Sequence, residues 1–334
     1  MLLETANGYI DVLRDEEAAS IRRNNVRILA RQELAAQTRF DVGAGTKTDV
    51  AQAQSRLAAA ESGLAQADAQ LQFSRANYER LVGHIPIDLQ AVPQFILPST
   101  VGEAKDIALQ NNPQLLAAYF GIEAAEANID VARSASKPVV SLNGSYGRQR
   151  GQITSFDSAD QGTIAAQISV PIFSGGLNSS RRRQAELAKT RLGFELKDAE
   201  RRVEASIIQL WAQLEAAKRV LISSQAQVRA AETAFEGVDL EQSVGTRTTL
   251  DVLDAEQEVL NAKLAVTEAE RNVNVGTYQL LSMMGAFDAI SIRLPVDLYD
   301  PNQNFQEITS DRLQRLIQGY VPEVLRNVDS NELP

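Results

Sequence analysis

The sequence predicts a mainly α fold: long antiparallel coiled-coil helices in two similar helical hairpins, with one two-stranded β-hairpin between them. Three observations say so. One turn is written twice. RFDVGAGTKTDVAQAQSRL (39–57) and QSVGTRTTLDVLDAEQEVL (242–260) share Val-Gly, a Thr-bearing polar patch with a basic residue, and Asp-Val opening an Ala-rich stretch. Apolar residues recur every seven positions around these turns. Two segments, 138–151 and 162–176, switch to a period of two.

The first hairpin occupies residues 1–83, with its tip near 42–48. Beyond the tip, Val50, Leu57, Leu64, Leu71 and Tyr78 form one seam, with Ala53, Ala60, Ala67 and Ser74 beside it. A sustained seven-residue repeat means supercoiled helices, and small residues on one seam let neighbours approach closely. The helix before the tip is less regular. It is read as helix chiefly because it pairs, at an offset of 202 residues from Asp49 to Asp251, with a regular one. At that offset Val42 meets Val244, Gly43 meets Gly245, Thr46 meets Thr248 and Gly83 meets Gly285, without a gap. Helices in register tolerate no insertion, because one extra residue turns the face by about 100°.

Residues 84–137 are a linker followed by helices. HIPIDLQAVPQFILPST (84–100) has three prolines and breaks the helix. Thr100 with Glu103 reads as a capping box, and Pro113 opens a second helix that runs toward Pro138. Residues 138–176 are the β-hairpin. Leu142, Gly144 and Tyr146 alternate with Ser141, Asn143 and Ser145; after a polar loop, Ile164, Ala166, Ile168, Val170 and Ile172 alternate with Thr163, Ala165, Gln167 and Ser169. A lone hairpin is barely stable in water. The pattern fits a barrel wall between lipid and water, and equally a small soluble hairpin packed on the helices.

Residues 177–285 are the second hairpin, with its tip near 243–250. Ile207, Leu214, Leu221, Val228 and Phe235 lead to the turn, and Val252, Val259, Val266, Val273 and Leu280 leave it. The tail, 286–334, carries Pro295, Pro301 and Pro322 and lacks heptads; SDRLQRLIQGYVPEVL (310–325) is expected to form a short amphipathic helix capped by Ser310.

Composition excludes several functions. A net charge of −10 argues against a nucleic-acid partner. Without cysteine there are no disulfides, thiolate sites or Cys nucleophile, and the single histidine, His84, leaves no two-His metal motif. His84 lies in a proline-rich loop and reads as a surface residue. No catalytic constellation, nucleotide loop, metal site or cofactor site is expected. No apolar run is long enough for a transmembrane helix, which says nothing about strands of about 10 residues. The opening MLLETANGYIDVLRDEE lacks a basic start and is not a signal peptide.

The set of motifs resembles the TolC-like outer-membrane efflux and secretion channels. ALQNNPQLLAAYFGIEAAEANIDVARSASKPVVSLNGSYG, VPIFSGG before an Arg-rich helix start, SVGTRTTLDVLDAEQEVLNAK and RFDVGAGTKTDVAQAQ carry the resemblance, which covers residues 1–288. It implies a protomer of a homotrimer, with an α-barrel in the periplasm and a transmembrane β-barrel in outer-membrane lipid. The function it implies is a passive exit duct of a tripartite efflux pump or type I secretion system in the Gram-negative outer membrane. It also implies a periplasmic adaptor and an inner-membrane transporter as partners. The alternative is a soluble periplasmic coiled-coil adaptor or scaffold. Residues 100–176 have no counterpart in the first copy, so the resemblance implies an N-terminally truncated chain lacking a signal peptide and two strands.

The resemblance also assigns the tips. Val42, Gly43, Thr46, Val244, Gly245, Thr246 and Thr248 would be the adaptor-docking surface. Asp251 and Asp254 would contribute acidic rings at the periplasmic gate, with Arg247 reaching Thr48 and Asp49 of the adjacent tip. The family often has Tyr where this chain has Gln242. Read from the residues alone, Asp49 and Asp251 are also helix caps, since carboxylates favour helix starts. The two roles are compatible.

Overall fold

The structure, a computed structural model, describes the backbone of residues 2–153, 156–292 and 294, and their side chains except at 149–159. Residues 1–287 make one compact unit. Its elements are α1 (Leu2–Asp41), α2 (Lys47–Val82), α3 (Val101–Asn111), α4 (Pro113–Ser134), β1 (Val139–Ile153), β2 (Phe156–Ser169), α5 (Leu177–Ser243) and α6 (Thr249–Met283). A second unit begins at Asp288, where the Asp288 carboxylate accepts the Ile290 and Ser291 amides in a turn. The helix expected at 310–325 lies outside the described residues.

Helices α1 and α2 pack antiparallel, as do α5 and α6, and α1 packs against α6 to join the two pairs. The heptad positions are where the pairs touch. Val252, Val259 and Leu280 are buried on α6, with Ala262 and Ala269 beside them; Ile207 and Leu214 are buried on α5. Toward the tip the α5 seam, at Val228 and Phe235, is only half-buried. Helix α1 turns out to have a heptad too: Gly8, Asp15, Leu29 and Ala36 lie seven or fourteen apart and are all buried. Its polar members hide it from a hydrophobicity reading. Asp15 accepts from Ser74, and Arg75 of α2 donates to Glu16 at 2.7 Å.

The linker ties the hairpins to the short helices. Tyr9 donates its hydroxyl to the Gln90 carbonyl at 2.7 Å, and Phe95 stacks edge-on against Tyr278. Thr100 caps α3 by accepting the Glu103 amide, while the Glu103 carboxylate takes the Ser99 amide instead of closing the expected box. Asn112 ends α3 and starts α4. Its Oδ1 accepts the Gln114 and Leu115 amides, and its Nδ2 donates to the Met283 carbonyl at 2.8 Å. Around it Ala104, Ala108, Leu115, Val203, Ile207 and Leu281 form the largest buried cluster, where α3, α4, α5 and α6 meet.

The β-hairpin departs from expectation in extent. The polar stretch read as a loop is strand: β1 has 15 residues and β2 has 14. Conversely, 170–176 is not strand. Pro171 has no N–H for a ladder, and Gly175 and Gly176 take φ of 59° and 83°. The register confirms the alternation. Val140 faces Ile168, Leu142 faces Ala166 and Tyr146 faces Gly162 on one side; Ser141 faces Gln167 and Ser145 faces Thr163 on the other. The side chains of Val140, Leu142, Tyr146, Ile164 and Ile168 are exposed.

The 67 residues of α5 span roughly 100 Å at 1.5 Å each. Asn178, at its start, donates to the Ala135 carbonyl at the end of α4, next to the strands, whereas Ser243 ends at the Val-Gly turn. The hairpin and the tips are therefore at opposite ends of this helix.

Gly285 ends α6 at φ 72°, and a Cβ there would lie 2.1 Å from the Asn111 carbonyl oxygen. Gly245 has φ 83° with open space around it. Gly285→Ala should therefore cost about 3–5 kcal/mol and Gly245→Ala about 1–2, one combining backbone strain with a clash and the other strain alone. Thermal unfolding followed by circular dichroism checks the order; equal losses would show that the Asn111 contact carries no weight.

Candidate functional site: the paired helix tips

The two turns have the same backbone. At the first, the Gly43 amide donates to Phe40 and the Ala44 amide to Arg39; at the second, Gly245 donates to Gln242 and Thr246 to Glu241. These paired bonds close a left-handed glycine cap, which is why both turns need glycine after valine. Each returning helix starts with a complete capping box. Thr46 Oγ1 accepts the Asp49 amide at 3.2 Å, and Asp49 Oδ2 accepts the Thr46 amide at 3.0 Å. Thr248 and Asp251 repeat this at 3.2 and 2.9 Å. The Thr46 hydroxyl and then its amide hold Asp49 below the usual carboxylate range. At Asp251 the Thr248 amide comes first and the hydroxyl second.

Side chains make the tips differ. At the 202-residue offset Arg39 aligns with Glu241, and Arg247 with Gly45. Within the chain Arg247 Nε donates to Glu241 Oε2 at 2.8 Å, which raises the guanidinium pKa further. It does not meet Thr48 or Asp49 here; Thr48 is exposed. The tip-to-tip contact is Arg39 Nη2 to Gln242 Oε1 at 3.3 Å. Asp254 turns from Asp251 toward α2, where it takes Arg56 Nη2 at 2.5 Å. Val42 and Val244 project from the turns with 74 % and 70 % exposure, and Thr246 and Thr248 are exposed beside Val244.

Sequence reasoning missed Arg39, Arg56 and Glu241. Their partners lie on the other copy or across a turn, so no local spacing announces them. It also missed Glu256, which is 5 % exposed and accepts from Asn25 Nδ2 at 3.3 Å between α6 and α1. Nearby, an open groove between α1, α5 and α6 mixes Glu232, Glu256 and Glu270 with Arg229 and Lys263.

With this geometry in place, comparison with known proteins decides the family. The outer membrane efflux protein family matches residues 105–286. The chain belongs to that family. It is 32 % identical over 310 residues to the outer membrane efflux protein BepC of Brucella suis, covering 92 % of this chain and 68 % of that protein. It is 26 % identical over 295 residues to the outer membrane protein TolC of Vibrio cholerae, covering 85 % of this chain and 67 % of that one. A crystal structure of a membrane protein from Pseudomonas aeruginosa superposes with a TM-score of 0.71 at 20 % identity, covering 85 % of this chain and 67 % of that chain, and is a likeness of fold. The fold is thus TolC-like and the protein is an outer-membrane efflux or secretion channel component of Gram-negative bacteria. The family is one of channels and not of enzymes. The duct reading is favoured over the soluble scaffold.

Burial raises the Glu256 pKa above 4.5, against the smaller opposing effects of Asn25 and Lys263. The native chain then holds this proton more tightly than the unfolded chain. Stability is lost as pH rises from about 4.5 through the folded value. Glu256→Gln keeps an acceptor for Asn25 and removes the buried charge. It should melt above the native chain at about pH 7, with the difference vanishing below about pH 4. A variant less stable at neutral pH would contradict this.

Proposed function

We propose that the chain is one protomer of a trimeric, passive exit duct whose tips form the periplasmic gate and whose β-hairpin is part of the barrel wall in outer-membrane lipid. An inner-membrane transporter would supply the energy, and a periplasmic adaptor would dock on the exposed tips around Val42, Gly43, Thr46, Val244, Gly245, Thr246 and Thr248. The duct has no chemistry of its own.

One observation carries the reading beyond family membership: charge is excluded from the strands over a membrane's thickness. No charged residue lies between Lys137 and Arg148 on β1, or between Asp160 and Arg181 across β2 and the segment after it. The ten residues on the first side span roughly 33 Å of strand, or roughly 25 Å of height at a tilt of about 40°. That matches the apolar band of an outer-membrane barrel. Arg148 closes the far edge by a bidentate pair with Asp160, at 2.7 and 2.8 Å. The exposed apolar face of Val140, Leu142, Ile164 and Ile168 is the one that would meet lipid.

At the other end, threefold symmetry would bring three copies each of Asp251 and Asp254 around one axis. Like charges crowded in a narrow pore repel unless cations or arginines compensate. Within a chain Arg56 pairs with Asp254, and Arg247, bonded to Glu241, adds only a minor favourable charge near Asp251. In the assembled channel Arg247, Thr48 and Asp49 are proposed to form the latch between neighbouring tips. In planar bilayers, Arg247→Ser should raise the conductance of the reconstituted trimer. Asp251→Ala with Asp254→Ala should weaken block by a trivalent cation such as hexamminecobalt. If Arg247→Ser leaves conductance unchanged and the double variant is blocked as before, the aspartates are caps and the gate lies elsewhere.

A further inference from the structure

The basic cluster where α4 ends and α5 begins is not used by the duct or its gate. We propose that Arg133, Lys137, Arg181, Arg182 and Arg183 bind the anionic headgroups of phospholipids in the leaflet that faces the periplasm. The proposal rests on the reading of the β-hairpin as membrane-spanning.

Three observations carry it. First, the cluster is local and unlike the rest of the chain. Residues 130–137 and 177–186 hold five basic side chains against two acidic ones, in a chain of net charge −10. All five are exposed. Arg133 pairs with Asp130 at 3.0 Å and Arg182 with Glu186 at 3.4 Å; no ion pair is formed by Lys137, Arg181 or Arg183 among the described residues. Further along α5, by contrast, Lys189 is paired with Glu126 and Arg191 with Glu195. Second, the fold sets the cluster at one level. The Asn178 bond to the Ala135 carbonyl and the Lys189 bond to Glu126 fix α4 and α5 side by side and antiparallel. Arg181 therefore lies beside Arg133, and Lys137 is two residues from the first residue of β1. This level is the tip-ward edge of the uncharged window. Third, helix stability does not explain the three arginines of α5, although it favours Arg133 at the end of α4. Cations are disfavoured at a helix N-terminus, and α5 starts without an acidic residue in its first turn or a capping side chain. The open amide end and the three arginines favour the same ligand, an anion.

Phe173 and Ile172 are 90 % and 95 % exposed between the strand and the cluster. An exposed aromatic and aliphatic pair in the segment that leads from the strand to the arginines matches the acyl boundary below the headgroup layer of a leaflet. Each basic group near an anionic surface contributes enough that three together should change lipid preference by roughly tenfold or more.

The test compares the native full chain, a Lys137→Gln, Arg181→Gln, Arg183→Gln variant, and a control with Arg201→Gln, Arg202→Gln and Arg219→Gln lower on α5. Each is incorporated into phosphatidylcholine vesicles with or without about 30 % phosphatidylglycerol, and lipid retained after detergent extraction is counted. Native protein and control should retain lipid with a phosphatidylglycerol-to-phosphatidylcholine ratio roughly tenfold above that of the bulk vesicle, and salt should reduce this. The cluster variant should incorporate equally into phosphatidylcholine and lose the enrichment. Competition by inorganic phosphate at millimolar concentration would point to a free-anion site and overturn the lipid assignment. Equal enrichment in all three proteins, with normal incorporation, overturns the proposal and leaves the membrane reading standing. Failure of the native chain to enter either vesicle overturns both.

Discussion

The contact between α1 and α6 is the constraint on which the rest depends. It is the main join between the two copies of the hairpin, and its polar pairs set the register. Arg271 donates to Asp11 at 2.8 Å, Arg14 approaches Glu268 at 3.6 Å, and Asn25 donates to Glu256 at 3.3 Å. The numbers of each pair descend on one helix as they rise on the other, so the helices run antiparallel in one register throughout. Exposed links of this kind contribute about 1 kcal/mol or less each. The Asn25–Glu256 link is different in kind, because breaking it would leave a polar group buried without a partner. Apolar packing supplies the adhesion, with Leu253 inserted among Leu29, Ala36, Val50 and Ala53 of the first copy. The polar pairs choose the register.

A fixed register at the seam explains why the tips are similar in backbone yet unequal in side chains. The turn itself needs only glycine at positive φ and a Thr-Asp capping box, and both copies have these. Side chains that reach from one tip to the other cannot be the same on both sides, since like charges would then face each other. Arg39 reaches the uncharged Gln242 of the other tip, while Glu241, at the position equivalent to Arg39, is held by Arg247 of its own turn. The result is a firm seam, buried over much of its length, with a long, half-buried hydrogen bond, Arg39 to Gln242, at its end. We propose that two stiff hairpins joined this way part at the tip while the seam stays closed.

Much of this was legible in the sequence because helices and turns are local. The 202-residue offset, the α6 heptad and the capping role of Asp49 and Asp251 were visible and are in the structure, where Thr46 and Thr248 prove to be the N-caps that complete each box. The α1 seam was obscured by Asp15, whose buried carboxylate is answered by Ser74 on another helix. The hairpin was read too short at the turn because the polarity of residues 152–161 suggested a loop, whereas strand pairing depends on the partner strand and not on hydropathy. At the tips, the residues were legible and their partners were not. Arg56 with Asp254 and Arg39 with Gln242 span about two hundred residues of chain and follow only once α1 and α6 are packed.

The central claim is a fixed seam with a parting tip, and cross-linking in the channel tests it most directly. The chain has no native cysteine, so engineered pairs are unambiguous. Arg39→Cys with Gln242→Cys bridges the tips; Asn25→Cys with Glu256→Cys bridges the seam. Each pair would be joined by a short bis-maleimide and compared with its unlinked form in planar bilayers under conditions that open the channel. The account predicts that the tip bridge holds conductance at its closed level while the seam bridge leaves opening unchanged. A seam bridge that blocks opening as fully as the tip bridge, or a tip bridge with no effect, would contradict it.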